Sequence, residues 1–151
     1  YLFVLQAFTK IYAVPGIRLG YGISSDKALL ERMETVRQPW SVSTPAQAAG
    51  LSALKEDHRE EQTRQLVKSE RERMEKELEN LRIEYIPSEA NFLLFNSEIN
   101  WFEELKKRGI LIRDCANYRG LGNGWYRLAV RLPEENDRLL ECMKQVLNER
   151  S

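Results

Sequence analysis

Four arginines, Arg113, Arg119, Arg127 and Arg131, lie between positions 113 and 131 with one acid, Asp114, among them. A guanidinium is a planar fork that grips a carboxylate or phosphate with two parallel hydrogen bonds, which an ammonium cannot do. In the run Trp125-Tyr126-Arg127-Leu128-Ala129-Val130-Arg131, strand alternation puts Arg127, Ala129 and Arg131 on one face and Tyr126, Leu128 and Val130 on the other. Arg113 ends the preceding apolar run, so two arginines from neighbouring strands could converge on a small anion. The same spacing also fits exposed strand-end charges, and both readings stay open. Lys10 is the second candidate. It directly follows a hydrophobic strand, with Thr9 before it and Arg18 just past the Pro15-Gly16 turn. An amine held at the end of a rigid strand suits imine formation with a carbonyl compound. The commoner role of a lone lysine, one of eight here, is a solvated charge.

Other motifs carry less. Gly120-Leu121-Gly122-Asn123-Gly124 precedes no helix, so it is neither a dinucleotide nor a P-loop fingerprint and reads as a strand connection. His58 has no apolar neighbour and reads as a surface residue. The helix from Lys68 to Arg82 could dock a partner, but its apolar stripe is narrow and fits packing on its own domain.

The elements that must position these residues follow from pattern. Tyr1 to Leu5 is a continuous apolar run and predicts a strand buried on both faces. Arg18 to Ile23 predicts a second strand whose glycines permit close packing. Asp26 caps a helix to about Val36, with Leu29, Leu30, Met33 and Val36 facing inward. Thr44 is expected as the cap of an Ala-rich helix opened by Pro45 and running to about Leu54. Lys55 to Gln65 holds no apolar residue and is either a solvated helix or a break. Val67, Met74, Leu78 and Leu81 then line a charged helix. Strands are expected at 83–86, 91–95, 110–113 and 125–131, and helices at 101–108 and 134–149. The fold class is therefore α/β and α+β. Residues 1–43 form the tail of an α/β layer, 44–82 a helical connector, and 83–151 a small α+β domain. A doubly buried strand should not be a free end, so a preceding segment is expected and the chain reads as the C-terminal part of a longer protein.

Composition narrows the function. The chain has 151 residues, 42% hydrophobic and 30% charged, with 23 Lys+Arg balancing 23 Asp+Glu. Zero net charge argues against nucleic acid or an anionic membrane as partner. No apolar run approaches the ~20 residues of a membrane span. Two cysteines and one histidine give no disulfide framework and no metal-ligand set. A reducing cytoplasm is the expected location.

Taken together, the residues resemble a family. The segment Ala7-Phe8-Thr9-Lys10-Ile11-Tyr12-Ala13-Val14-Pro15-Gly16-Ile17-Arg18-Leu19-Gly20-Tyr21 resembles the Schiff-base-lysine segment of fold-type-I pyridoxal-phosphate enzymes, in the class I/II aminotransferase family. Three later stretches strengthen the likeness: Arg37-Gln38-Pro39-Trp40-Ser41-Val42, Pro87-Ser88-Glu89-Ala90-Asn91-Phe92-Leu93-Leu94 and Ile112-Arg113-Asp114-Cys115-Ala116-Asn117-Tyr118-Arg119-Gly120-Leu121. The likeness runs the whole length in the right order. It is similar to the histidinol-phosphate aminotransferase and threonine-phosphate decarboxylase branches, and the second and fourth stretches lean toward the decarboxylase.

The resemblance implies roles. Lys10 would be the catalytic lysine that carries pyridoxal 5'-phosphate, with Thr9 and Arg18 on the cofactor phosphate. Arg113 and Arg127 would bind the anionic groups of a small phosphorylated amino-acid substrate. The fold implied is the end of a large cofactor-binding domain followed by the small C-terminal domain, in a cytoplasmic homodimer; for the decarboxylase branch it implies a place in cobalamin biosynthesis. Two departures stand out. Ala7 occupies a position where relatives often carry a phosphate-binding serine. The aspartate that pairs the pyridine nitrogen should precede Lys10, yet the four aspartates are Asp26, Asp57, Asp114 and Asp137. The chain alone is therefore expected to be inactive, to hold no cofactor, and to associate through its N-terminal third. Two other classes remain as alternatives: a non-catalytic anion-binding domain, and a helical interaction module.

Overall fold

A computed structural model describes residues 2–56 and 58–150. Tyr1, Asp57 and Ser151 lie outside the described residues, so the expectations that touch them are followed only from their neighbours. The chain divides into two compact units, Tyr1–Thr63 and Arg64–Ser151.

The first unit opens with an antiparallel ribbon, β1 (Phe3–Ala7) against β2 (Gly20–Ser24), with Leu5 opposite Gly22. Its glycines are needed for close approach: a Cβ on Gly22 would sit 2.3 Å from the Phe3 ring, and one on Gly20 2.9 Å from the Gln6 carbonyl. The expectation of a doubly buried first strand fails. Leu2 is 70% and Leu5 77% exposed, because β1 has one strand neighbour and neither face of the ribbon is fully covered. The second strand also starts later than expected. A 3-10 turn, Pro15–Ile17, ends on Arg18 in the left-handed region (φ 59°), which excludes Arg18 from the extended strand.

Helix α1 (Lys27–Val36) is capped as expected, with the Asp26 carboxylate accepting from Leu29 N at 2.9 Å. Its inward stripe is not as expected: Leu29 and Leu30 are half-buried, but Met33 and Val36 are exposed and no residue of the helix is buried. Trp40, in the loop that follows, has φ 60° and is 97% exposed. Helix α2 (Thr44–Ala53) is capped by Ser43, one residue before the expected cap, its hydroxyl accepting from Ala46 N. Ala46 and Gly50 are the buried residues of α2, and Gly50 lets the helix lie directly on Leu19 and Phe8; a Cβ on Gly50 would come within 2.4 Å of Leu19. The polar stretch resolves as a turn after Leu54 followed by a long helix, α3 (Arg59–Asn80).

In the second unit, β3 (Tyr85–Ile86), β4 (Phe92–Asn96), β5 (Arg113–Asp114) and β6 (Trp125–Ala129) form one antiparallel sheet in the order β3-β4-β6-β5. Helices α4 (Trp101–Lys107) and α5 (Pro133–Asn148) join α3 in closing the core. Alternation is clean. Leu93 and Phe95 of β4 and Tyr126 and Leu128 of β6 are buried against Met74, Leu78, Trp101, Leu105 and Met143.

Two expected strands shorten for one reason. The Ile110 N–H bonds to Leu105 O (2.9 Å) and Gly109 N–H to Lys106 O, a Schellman closure with Gly109 at φ 74°. The expected strand at 110–113 therefore begins only at Arg113. The same closure ends α3, with Ile83 N on Leu78 O and Arg82 left-handed at φ 56°, so β3 starts at Tyr85 instead of Ile83.

Candidate anion and cofactor residues

Sheet pairing places Arg113 of β5 directly opposite Arg127 of β6. Directly opposed residues of an antiparallel pair share a face, and like charges so placed repel. Neither guanidinium has a carboxylate partner within ion-pair distance among the described residues. Arg127 lies over the Phe92 ring, 5.0 Å from its centroid. Arg113 lies over Tyr118 at 5.3 Å and donates to Asn117 Oδ1 at 3.0 Å. Stacking on aromatic faces orients both forks while leaving most of their N–H donors unused. Asp114 faces the other way, opposite Tyr126, and its carboxylate accepts from Ala116 N. The result is two fixed forks on one surface with no internal anion between them.

The other two arginines of the window do not join them. Arg131 pairs with Glu135 at 2.8 Å. Arg119 is in the exposed connection that runs through Gly120, Gly122 and Gly124, all at positive φ. Cys115, next to the pair, is fully buried; desolvation pushes its thiol up, against the pull of Arg127 and Arg113, so it is a poor nucleophile.

Lys10 and Thr9 occupy the turn that closes β1, Lys10 exposed and Thr9 half-buried. The flanking aromatics hold this turn. Phe8 is 3% exposed and stacks on Tyr12 at 4.8 Å, and the Tyr12 hydroxyl donates to Glu60 Oε1 at 2.5 Å. Phe8 N–H also bonds to Leu19 O, tying the turn to the start of β2. Arg18 is exposed, and its Nη1 donates to Pro15 O at 3.0 Å. The loop between β1 and β2 thus carries an amine that can form an imine, and a hydroxyl and a guanidinium that can bind a phosphate.

Sequence reasoning missed the supports. The i, i+4 aromatic spacing of Phe8 and Tyr12 was a usable signal for the anchored turn. Nothing in the charge pattern pointed to Asn117, Tyr118 or Phe92 as holders of the arginines. Among the described residues no group of histidine, cysteine, aspartate or glutamate could hold a metal ion. No helix among them is long and apolar enough to cross a membrane.

The family model for aminotransferase class I and II matches residues 1–142, and the chain belongs to that family. It is 39% identical over 151 residues to the threonine-phosphate decarboxylase of Salmonella typhimurium strain LT2, covering 97% of this chain and 42% of the relative. It is 38% identical to the histidinol-phosphate aminotransferase of Symbiobacterium thermophilum, covering 97% and 40%. The structure superposes on the histidinol-phosphate aminotransferase from Clostridium acetobutylicum with a TM-score of 0.91 at 32% identity, over 97% of this chain and 46% of that one. The chain therefore spans about two fifths of the length of these curated relatives.

Proposed function

We propose that this chain contributes the cofactor-lysine segment and the substrate arginines to a pyridoxal-phosphate enzyme of the threonine-phosphate decarboxylase type. The observation that carries the reading is the Arg113/Arg127 pair, two uncompensated cations held opposite one another, an arrangement that repels unless an anion bridges it. Arg113 and Arg127 bind the anionic groups of a phosphorylated amino acid or amino alcohol. Lys10 holds the cofactor and moves a proton at the substrate carbon; Thr9 and Arg18 hold the cofactor phosphate. When bound, pyridoxal phosphate supplies the electron sink that lets a bond at the α-carbon break. In this reading residues 1–43 belong to the large cofactor domain, 44–82 to the connector and 83–151 to the small domain. The assembly is a cytoplasmic homodimer, and decarboxylation of the phosphorylated amino acid would serve cobalamin biosynthesis.

A histidinol-phosphate-type aminotransferase is the second reading, favoured by the 38% identity to a relative of that name. Activity of the protein carrying this chain on threonine phosphate against histidinol phosphate, followed as carbon dioxide release and as amino transfer, decides between them. The lysine assignment is tested separately. The chain is incubated with pyridoxal phosphate and reduced with borohydride, and the labelled peptides are mapped. Label concentrated on Lys10 and lost in Lys10→Ala supports the role. Label spread over the surface lysines removes it, and leaves a non-catalytic anion-binding domain as the reading to pursue.

A further inference from the structure

The alternation of β6 decides which face each side chain takes, but not how far along β4 the strand sits. A slip of one residue would bury Arg127 and expose Leu128, so it is strongly disfavoured. A slip of two residues keeps every side chain on its face and carries Arg127 about 7 Å along its neighbours. Arg113 and Arg127 oppose one another only in the observed register, so something beyond hydrophobic pattern must select it.

At the far end of β6, the Asn136 side chain grips one residue of the backbone. Its Oδ1 accepts from Arg131 N at 3.0 Å and its Nδ2 donates to Arg131 O at 2.9 Å. This is what a neighbouring strand residue would do, and it occurs just past the last bond to the β4 side, Val130 N to Asn91 O. Asn136 is 1% exposed, and the same Nδ2 donates to Glu70 Oε2 at 2.8 Å. Glu70, 7% exposed, is itself fixed by Arg73 through bonds of 3.1 and 2.7 Å. Arg73 in turn reaches Asp137 at 2.6 Å. An amide carries both a donor and an acceptor, so only one orientation of Asn136 satisfies Arg131 and Glu70 together.

We propose that Asn136, oriented by Glu70, is a positioning residue: it locks the register of β6 and so sets Arg127 opposite Arg113. The proposal rests on the reading of that pair as the anion site. Neither Asn136 nor Glu70 touches the anion.

The test uses the 151-residue chain, isotope-labelled, with inorganic phosphate as the probe. Two quantities are read by nuclear magnetic resonance: phosphate-dependent shifts of the Arg113 and Arg127 side-chain Nε–H signals, and cross-strand contacts between residues 113 and 127. In Asn136→Ala the 113–127 contacts give way to a second, slipped set, and the phosphate affinity falls by the same factor as the in-register fraction. Glu70→Gln keeps an acceptor for the Asn136 amide and holds both quantities within about twofold of the unaltered chain. Val146→Ala, a core truncation elsewhere on α5, lowers Tm but leaves both quantities in place. The proposal is overturned if Asn136→Ala keeps its affinity and its 113–127 contacts, or if Val146→Ala loses affinity to the same extent. If phosphate shifts neither arginine in the unaltered chain, the anion reading fails instead. The register contacts in Asn136→Ala then decide the lock alone: slipped contacts uphold it and intact ones overturn it. Should Asn136→Ala not fold, Glu70→Ala takes its place with the same readouts and the same overturning result.

Discussion

At the scale of single residues, the pairing of Arg113 with Arg127 matters through its geometry as much as its charge. Lysine at either position keeps the positive charge but loses the fork and most of the stacking on Phe92 or Tyr118. Arg127→Lys and Arg113→Lys should each weaken phosphate or carboxylate binding about tenfold or more, measured by titration, while borohydride labelling of Lys10 stays unchanged. Loss of both together would count against separate roles. Glu70 makes a pH prediction. Hydrogen bonding to Arg73, ahead of the opposing effect of burial, holds its carboxyl below the ordinary glutamate value of 4.5. Because the folded value is the lower one, its stabilisation is complete above the unfolded value and disappears as pH falls through the folded value. Urea midpoints from pH 7 down to pH 3 should fall more steeply for the unaltered chain than for Glu70→Gln. Parallel curves would show that Glu70 adds no pH-dependent stability.

At the scale of elements, local signals were legible where one residue type had one job. Asp26 was legible as a cap, and its carboxylate accepts from the first turn of α1; Asn100, which does the same for α4, was not singled out. The alternation of β4 and β6 was equally plain. The apolar run Ile110-Leu111-Ile112 misled because its first residue closes α4, and the Schellman turn consumes the Ile110 N–H that a strand would have offered. Arg82 gave no warning at all, since the left-handed residue after a helix is usually glycine. Two glycines test the distinction between conformation and space. At Gly109 (φ 74°) a Cβ would meet only Arg138 Nη2 at 3.5 Å, so Gly109→Ala should cost about 1 kcal/mol in unfolding free energy from backbone conformation alone. At Gly124 (φ 87°) the Cβ would lie 2.8 Å from Ser97 O, a backbone atom that cannot step aside. Gly124→Ala should therefore destabilise more than Gly109→Ala in chemical denaturation; equal costs would show that the sheet end yields freely.

At the scale of the molecule, the two units are unequally consolidated. The second buries one contiguous cluster that includes Met74, Phe95, Trp101, Leu128 and Met143, all 0% exposed. The first buries little beyond Phe8, Tyr12, Ala46 and Gly50, and its ribbon shows Leu2, Leu5 and Ile23 to solvent. Protection against hydrogen exchange follows burial and hydrogen bonding, so amides of 92–96, 125–129 and 139–146 should exchange slowly and those of 3–7 and 20–24 quickly. Uniform protection across both sets would contradict this. The apolar sequence of β1 was read as doubly buried because composition reports what a strand prefers to touch, and a two-stranded ribbon does not supply it.

The three tryptophans sit in three different environments. Trp101 is sealed at 0% exposure, Trp125 is half-buried on the sheet, and Trp40 projects from its loop at 97% exposure. Indole emission shifts to longer wavelength in water, and a soluble quencher reaches only a ring that solvent can reach. Replacing Trp125 by Phe leaves one indole dark to iodide and one open to it. The open one lies in the loop after α1, so its colour and its quenching report whatever comes to cover that loop, with no dye attached.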